Sequence, residues 1–351
     1  MRVVVVGAGV YGAAVGAALV RRGAEVTVVD GGMPGSGTSG ATFSWVNSRN
    51  KQPLVYHDLN LAGMAAHQRL AAEVPLGDWY HGGGGIEWTA DEEGLSTKVD
   101  ALLARGYEAK LLTRAEALDL EPGLVPDRLP ADGIAYYPGE AWVEPTRLIA
   151  HLLSRGADVV ADDAVVGLDV SGDVVRAVRL ESGQVLAADA VVNCAGPQAA
   201  EVAAMAGLAL PMRNLPCVLV HTTSVAVPVS RVVHAPDVHL RPERGGRIML
   251  HSGEVDQGGQ GAVEKLVRDA ASVYPAIRAA ESVHTGQRPI PGDGLPVLGR
   301  ATDVRNYFFA VSHSGVTLCL HAGELVAGEV LGDDRDEALA PFRFERFEVW
   351  R

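Results

Sequence analysis

The chain has 351 residues, a formal net charge of −13, 48 % hydrophobic residues and 21 % charged residues. This composition excludes a disordered or fibrous chain, and the length suits about two domains of ~150 residues each. An acidic protein with no basic block is a poor partner for nucleic acid or an anionic membrane, although a local basic pocket for an anionic ligand stays compatible with it. Cys194, Cys217 and Cys319 are scattered, with no C-x-x-C pairing. That argues against a disulfide framework or a thiolate zinc site and fits a reducing cytoplasm. Lysine occurs only at Lys51, Lys98, Lys110 and Lys265, so arginine carries nearly all the positive charge.

The apolar stretch Val3–Val20 is interrupted by Gly7, Gly9, Gly12 and Gly16, and its positive pair, Arg21 and Arg22, follows it. It therefore reads as strand, turn and helix rather than as a signal peptide, and no other stretch approaches the ~20 apolar residues of a membrane span. Val3–Val6 is a strand buried on both faces, Gly23 stops the helix, and Glu25–Val29 is the second strand, ended by Asp30. Residues 31–41 form a Gly/Ser-rich loop. A helix is expected over Pro53–Glu73, a strand over Ile86–Thr89 and a helix over Asp91–Ala104. Thr113 with Glu116 forms a capping box, and Pro145 starts a helix that ends at Gly156.

Residues 158–193 are short β-rich runs. Residues 215–251 look antiparallel, with strands at Val218–Thr223, Val232–His234, Val238–Arg241 and Arg247–His251. A helix follows near Val263–Val273, and the chain closes with a strand at Tyr307–Val311 and a helix over Val316–Leu331. The parallel unit at the start, more α/β at the end and antiparallel material between predict an α/β fold of two discontinuous domains. The first is a Rossmann-type nucleotide-binding domain from 1–50, 140–214 and 286–351. The second is an α+β substrate domain, built on an antiparallel sheet, from 51–139 and 215–285.

Gly7-Ala8-Gly9-Val10-Tyr11-Gly12 is a G-x-G-x-x-G run that follows a strand and opens a helix, the context its chemistry needs. Gly7 permits the tight turn, Gly9 lets backbone approach a pyrophosphate, and Gly12 lets helix and strand pack closely. The helix N-terminus offers N–H groups and partial positive charge to the phosphates. Asp30 can accept both ribose hydroxyls, and its charge disfavours a 2′-phosphate. FAD and NAD share this fingerprint. The loop 35–42, with Gly37, Thr38, Ser39 and Thr42, has the small hydroxyl residues that let a dinucleotide thread beneath it. The plain alternatives are a strand–helix turn without nucleotide and a solvated loop.

Four features together resemble the D-amino-acid oxidase superfamily of FAD-dependent oxidoreductases, which includes glycine oxidase and sarcosine oxidase. They are the fingerprint with Asp30; the GSGTSGATF loop at 35–43; Val191-Val192-Asn193-Cys194-Ala195-Gly196-Pro197; and Gly286-Gln287-Arg288-Pro289 with His313-Ser314-Gly315-Val316-Thr317. The resemblance covers almost the whole chain. It implies non-covalent FAD, with Val10, Tyr11, Gly31, Cys194, Ala195 and Gly196 against the dinucleotide and Val166, with Ala164, passing the adenine. It also implies that the N–H groups of Gly315, Val316 and Thr317 face the flavin's pyrimidine carbonyls, where a helix N-terminus stabilises negative charge. Arg288 would clamp a substrate carboxylate by two parallel hydrogen bonds, over the flavin that it also borders.

The implied reaction is oxidation of the C–N bond of a small amine or amino acid. Hydride passes to flavin N5, the imine hydrolyses, and O2 or an electron carrier takes the electrons. No cysteine near Gln287–Ile290 offers a covalent tether, and the short His313-Ser314-Gly315 turn lacks the second basic residue of many relatives. Some relatives use a lysine to promote reaction with oxygen; here Lys51 is the plausible one. Asn47, Arg49 and His251 are further candidates beside the flavin or substrate, as are Trp45, His239, Arg241 and Met249 if the antiparallel sheet roofs the pocket. His57 and His67 are expected to face solvent or core, and His81 to sit in a mobile surface loop. No pattern argues for a metal or a hydrolytic triad. Two alternatives stay open: an NAD-dependent dehydrogenase, and a flavin-binding subunit without turnover.

Overall fold

Val3 to Val6 have their side chains alternately on the two faces of a strand whose both sides are covered. Val3 and Val5 pack into one core and Val4 and Val6 into another. In the computed structural model, which describes residues 1–333 and 337–350 (the last three by backbone alone), this strand, Arg2–Val6, lies inside a six-stranded sheet. Residues 334–336 and 351, part of the expected nucleotide-binding segment, lie outside the described residues. The strand order is Val297–Arg300, Tyr307–Val311, Ala190–Asn193, Arg2–Val6, Glu25–Val29 and Asp158–Val160; only Val297–Arg300 runs antiparallel to its neighbour. One face is covered by the helices Val10–Arg21, Pro145–Leu153 and Gly315–Val330. The other is covered by the small antiparallel sheet 165–187 and the helix Ala199–Met205.

A second sheet has eight strands, in the order Ala280–Arg288, Leu215–Thr222, Arg247–His251, His239–Glu243, Val232–His234, Gly85–Glu87, Ile134–Tyr137 and Lys110–Leu112. Its pairs are antiparallel except Val232–His234 with Gly85–Glu87. One face is apolar and packs Ile86, Val220, Val233, Leu240, Ile248 and Leu250 against Leu266, Ala270 and Tyr274. The other face is polar. A short three-stranded sheet, Trp45–Val46, Ala141–Val143 and Tyr80–His81, lies where the two large sheets meet.

The expected helices form at Leu54–Glu73, Glu92–Leu103, Arg114–Leu120, Pro145–Leu153, Ala262–Val273 and Gly315–Val330. Asp91 caps the second through the Gly94 N–H, and Thr113 with Glu116 makes the reciprocal capping box. The strand Ala280–Arg288 differs from the sequence reading, which gave it no element. Val283 is its only branched apolar residue, and the strand is held by a long ladder to Leu215–Thr222 at the sheet edge, not by burial. His81 also differs: it is half-buried, stacked on Trp142 at 3.9 Å and 3.4 Å from Glu144, not on a mobile loop. His57 and His67 are in the core. No helix among the described residues is long and apolar enough to cross a membrane.

Candidate active site

The first and last helices open onto one cleft of about 600 Å³. Gly7, Gly9, Val10, Tyr11, Asp30 and Gly31 line it, with Gly37, Thr38, Ser39 and Thr42 from the loop, Cys194, Ala195 and Gly196 after the strand Ala190–Asn193, and Gly315 and Val316 at the last helix. Gly7 has φ +105, and a Cβ there would meet the Cys194 carbonyl oxygen at 2.4 Å. A Cβ on Gly9 would meet Ser39 Oγ at 2.9 Å, whereas Gly37 and Gly196 face open space. This is a cradle kept clear of side chains.

The N-caps of both helices, Gly9 and Ser314, supply no side-chain cap. The Val10 N–H donates to Ser39 Oγ at 3.1 Å; the other first-turn donors have no side-chain acceptor. Two uncapped helix N-termini on one cleft make a strong binding place for phosphate at one end and for developing negative charge at the other. Asp30 accepts from the Ala8 N–H at 2.6 Å and the Gly32 N–H at 2.9 Å. Its oxygens thus stay fixed at the cleft wall with lone pairs left for hydroxyl donors. These residues fit a dinucleotide such as FAD.

Four residues expected against the cofactor stand outside the cleft wall: Gly12, Val166, Thr317 and Arg288. Gly12 packs on Gly7, where a Cβ would lie 1.7 Å from the carbonyl oxygen, so its role is helix–strand contact. Val166 is 55 % exposed, and its neighbours Ala164 and Val165 line the cleft instead. Thr317 is buried, its hydroxyl 3.4 Å from both the Asn47 N–H and the Trp45 carbonyl. Asn47 itself is buried, and its side chain donates to the Trp45 carbonyl at 3.3 Å.

The polar face of the eight-stranded sheet adjoins the loop. A Cβ on Gly286 would touch Ala41, and the Thr38 hydroxyl donates to the Gln287 carbonyl at 2.6 Å. Register places His239 opposite His251 and Arg241 opposite Met249, so all four share this face. The Phe43 ring sits among them, 6.4 Å from His239, 6.0 Å from His251 and 6.0 Å from the Arg241 guanidinium. His234 and His239 meet through their Nδ1 atoms at 2.8 Å. Burial, then the charges around them, pushes both imidazoles down, His239 to about 4, so the pair is neutral at pH 7.

Arg288 is already engaged. Its guanidinium donates to the Pro216 carbonyl at 2.8 Å and to the Asp256 carboxylate. Asp256 also holds His251 Nε2 at 3.0 Å and accepts from the Val218 N–H at 2.7 Å. Burial opposes ionisation of Asp256, but these hydrogen bonds and the Arg288 charge outweigh it and hold the carboxyl below its ordinary range. Cys217 completes a cluster with His251 and Asp256, yet burial pushes its thiol up to about 11 and Arg288 shares the carboxylate. The group works as an anchor for Arg288. Asp293, an acid close to Arg288 in the sequence, pairs with Arg346 and not with Arg288.

Arg49 has a 1 % exposed side chain, 3.2 Å from Glu87 and 3.6 Å from Glu140, and packs on the rings of Trp45 at 4.3 Å and Tyr137 at 4.6 Å. Glu140 in turn accepts from Trp45 Nε1 and the Tyr107 hydroxyl. This ion cluster ties the eight-stranded sheet, through Glu87 and Tyr137, to the short one, through Trp45. Lys51 is half-buried, and desolvation lowers its ammonium to about 8. His313 stands exposed on the cleft wall, where desolvation by its surroundings, then the charges of Lys51 and Arg288, push its imidazole down to about 4. Asp256, Glu140 and His313 are the functional-looking groups the sequence reading did not single out. Only His313 carried a signal, its place in the turn before the last helix.

Comparison with known proteins agrees with this geometry. Residues 2–329 match the DAO family, described as FAD dependent oxidoreductase. The chain is 31 % identical to a glycine oxidase of Geobacillus kaustophilus, over 98 % of this chain and 96 % of that one. It is also 31 % identical to a D-amino acid dehydrogenase of Methylobacterium radiotolerans, over 69 % of this chain and 61 % of that one. The crystal structure of glycine oxidase from Geobacillus kaustophilus superposes with a TM-score of 0.87 at 28 % identity, covering 98 % of this chain and 99 % of that one. The chain belongs to the DAO family of FAD-dependent oxidoreductases, and its cofactor is FAD.

Proposed function

We propose that this protein oxidises the C–N bond of a small amino acid or amine and returns the electrons to O2. The observation that carries the reading is the junction of the two sites: a dinucleotide cleft ending at the last helix, and a polar, histidine-lined sheet face meeting it through residues 38–43. The relatives named as glycine oxidase and D-amino acid dehydrogenase support it.

Bound FAD supplies the two-electron acceptor: the substrate loses a hydride from the carbon beside nitrogen and a proton from nitrogen, water hydrolyses the imine, and O2 leaves as H2O2. The chain's own residues do the rest. The uncapped N–H groups of Gly315 and Val316 hold negative charge at one end of the cleft, and His67, donating to the Val316 carbonyl at 2.7 Å, fixes that turn. The neutral His234–His239 pair and the cation of Arg241 disfavour an ammonium nearby, so they favour the unprotonated amine that can give up hydride. For Arg288 to clamp a substrate carboxylate, that carboxylate must share or displace Asp256.

The oxidase reading draws support from Lys51, a half-buried cation whose charge acts on His313 and which has no carboxylate partner among the described residues, placed to stabilise negative charge developing on oxygen. The dehydrogenase reading draws support from the second relative. Anaerobic reduction by a panel of amino acids and N-methylamines, followed by mixing with O2 or with an artificial electron carrier, separates the two. Oxidation by O2 with stoichiometric H2O2 is expected. Reoxidation by the carrier alone makes the protein a dehydrogenase.

A further inference from the structure

Val316 lines the cleft, and His67 stands behind it, with Nε2 2.7 Å from the Val316 carbonyl oxygen. The helix Leu54–Glu73 comes close enough for this bond because residue 63, one turn earlier on the same face, is glycine. A Cβ on Gly63 would lie 2.4 Å from the Thr317 carbonyl oxygen. His67 is 1 % exposed, and its Nδ1 has no hydrogen-bond partner among the described residues. The Tyr80 ring is stacked on it at 6.3 Å, and burial pushes the imidazole down to about 4, opposed only by the bond to Val316. A carbonyl only accepts, so Nε2 carries the proton, Nδ1 is bare and the ring is neutral at pH 7.

A tie between two helices does not require an orphaned ring nitrogen in the core, and such a group calls for a role. The place of the bond supplies one. The first helical bond runs from the Leu318 N–H to the Ser314 carbonyl, so the N–H groups of residues 315–317 are left without helical acceptors. The Val316 carbonyl and the Thr317 N–H belong to one peptide group. A donor on the carbonyl of a peptide polarises it and strengthens the N–H at its other end, because hydrogen bonds in a chain reinforce one another where the dielectric is low.

We infer that His67 sets the reduction potential of the bound flavin: its hydrogen bond to Val316 polarises the 316–317 peptide and so strengthens the hold of the last helix's N-terminus on negative charge. His67 is a positioning residue that acts through this peptide. The inference deepens the role proposed above for the turn and rests on it. His57 is the contrast on the same helix. It is equally buried and its Nε2 is also unpartnered, but its Nδ1 meets Ser48 at 2.9 Å and not the last helix.

The test uses the FAD-loaded protein without substrate. Equilibration with a reference dye gives the midpoint potential. Sulfite titration gives a second readout: sulfite uses its own electron pair to form an S–N bond to oxidised flavin, which leaves negative charge on the pyrimidine ring and bleaches the visible band. His67→Leu is expected to weaken sulfite binding about three- to tenfold and to lower the potential by about 15–30 mV, tenfold being ~30 mV for a two-electron couple. His67→Asn, whose amide is too short to reach the carbonyl, repeats the shift with a polar side chain. His67→Gln keeps a donor and stays within about twofold of wild type. His57→Leu loses stability without a shift in potential. Melting temperature and flavin content establish that each variant is folded and loaded.

Potential and sulfite affinity unchanged in both His67→Leu and His67→Asn make His67 a structural tie and overturn the inference. An equal shift in His67→Gln or His57→Leu overturns it as well. None of these readouts needs turnover. If no amine or amino acid reduces the flavin while its potential follows His67, the proposed reaction fails and this inference stands.

Discussion

The hydroxyls of Tyr11 and Ser312 lie 2.8 Å apart and tie the first helix to the turn before the last one, across almost the whole chain. Tyr56 ties a second helix, Leu54–Glu73, to the same turn, donating to Ser314 Oγ at 2.7 Å. These bonds set the spacing of the two uncapped helix N-termini that face the cleft. Tyr11→Phe removes one buried hydrogen bond at nearly constant volume. A destabilisation of about 1 kcal/mol is expected in denaturant unfolding, with weaker retention of FAD on dialysis. Unchanged FAD retention would show that the tie does not set the cleft.

Gly7 admits no side chain. Its φ of +105 and the 2.4 Å approach of a Cβ to the Cys194 carbonyl act together. Gly7→Ala is expected to cost about 2–3 kcal/mol or more and to yield colourless protein. Gly37, with nothing within 4 Å of its Cβ position, is the control. Gly37→Ala keeps the fold, so loss of stability there equal to that at Gly7 would contradict the packing argument.

The histidines set an acid limit on stability. Burial of His67 and half-burial of His239 hold both neutral in the folded state, each down at about 4, against the usual 6.5. Their folded values are depressed, so the stabilisation is full above about pH 6.5 and is lost as pH falls from there through about 4. Unfolding free energy from urea titrations is expected to fall steadily over that window. His67→Gln, which keeps a donor for the Val316 carbonyl, flattens part of the slope. A stability flat from pH 7 to pH 4 would refute the burial of neutral imidazoles.

Lys51 gives a test of the oxidative half-reaction. Lys51→Met is expected to slow reoxidation by O2 by about tenfold or more, as removal of a charge that stabilises developing negative charge does. Anaerobic reduction by substrate stays near the wild-type rate. Equal slowing of both halves would place Lys51 in substrate binding.

Much of this molecule is legible in one sequence, and the reasons are local. Val3–Val6, Gly7, Gly9 and Asp30 carry their instructions in adjacent residues, because a strand buried on both faces and a glycine turn need nothing distant. The alternation of His239 with Arg241 and of Met249 with His251 likewise put all four on one face, as the register shows. Arg49 reads in the sequence as a residue at the flavin, but in the fold it neutralises Glu87 and Glu140, which arrive from elements far along the chain. Asp256 is invisible for the same reason: an acid at the end of the one-turn helix Gly253–Asp256 gains meaning only when folding sets it between His251 and Arg288. The edge strand Ala280–Arg288 owes its conformation to a ladder, which leaves no periodic apolar signature.

The central claim is tested most directly by the visible spectrum of the purified protein during anaerobic titration with amino acids and N-methylamines. The account predicts a bound flavin spectrum that bleaches with at least one carboxylate-bearing amino acid and returns when O2 is admitted. A bound flavin that no amino acid or amine reduces would contradict it.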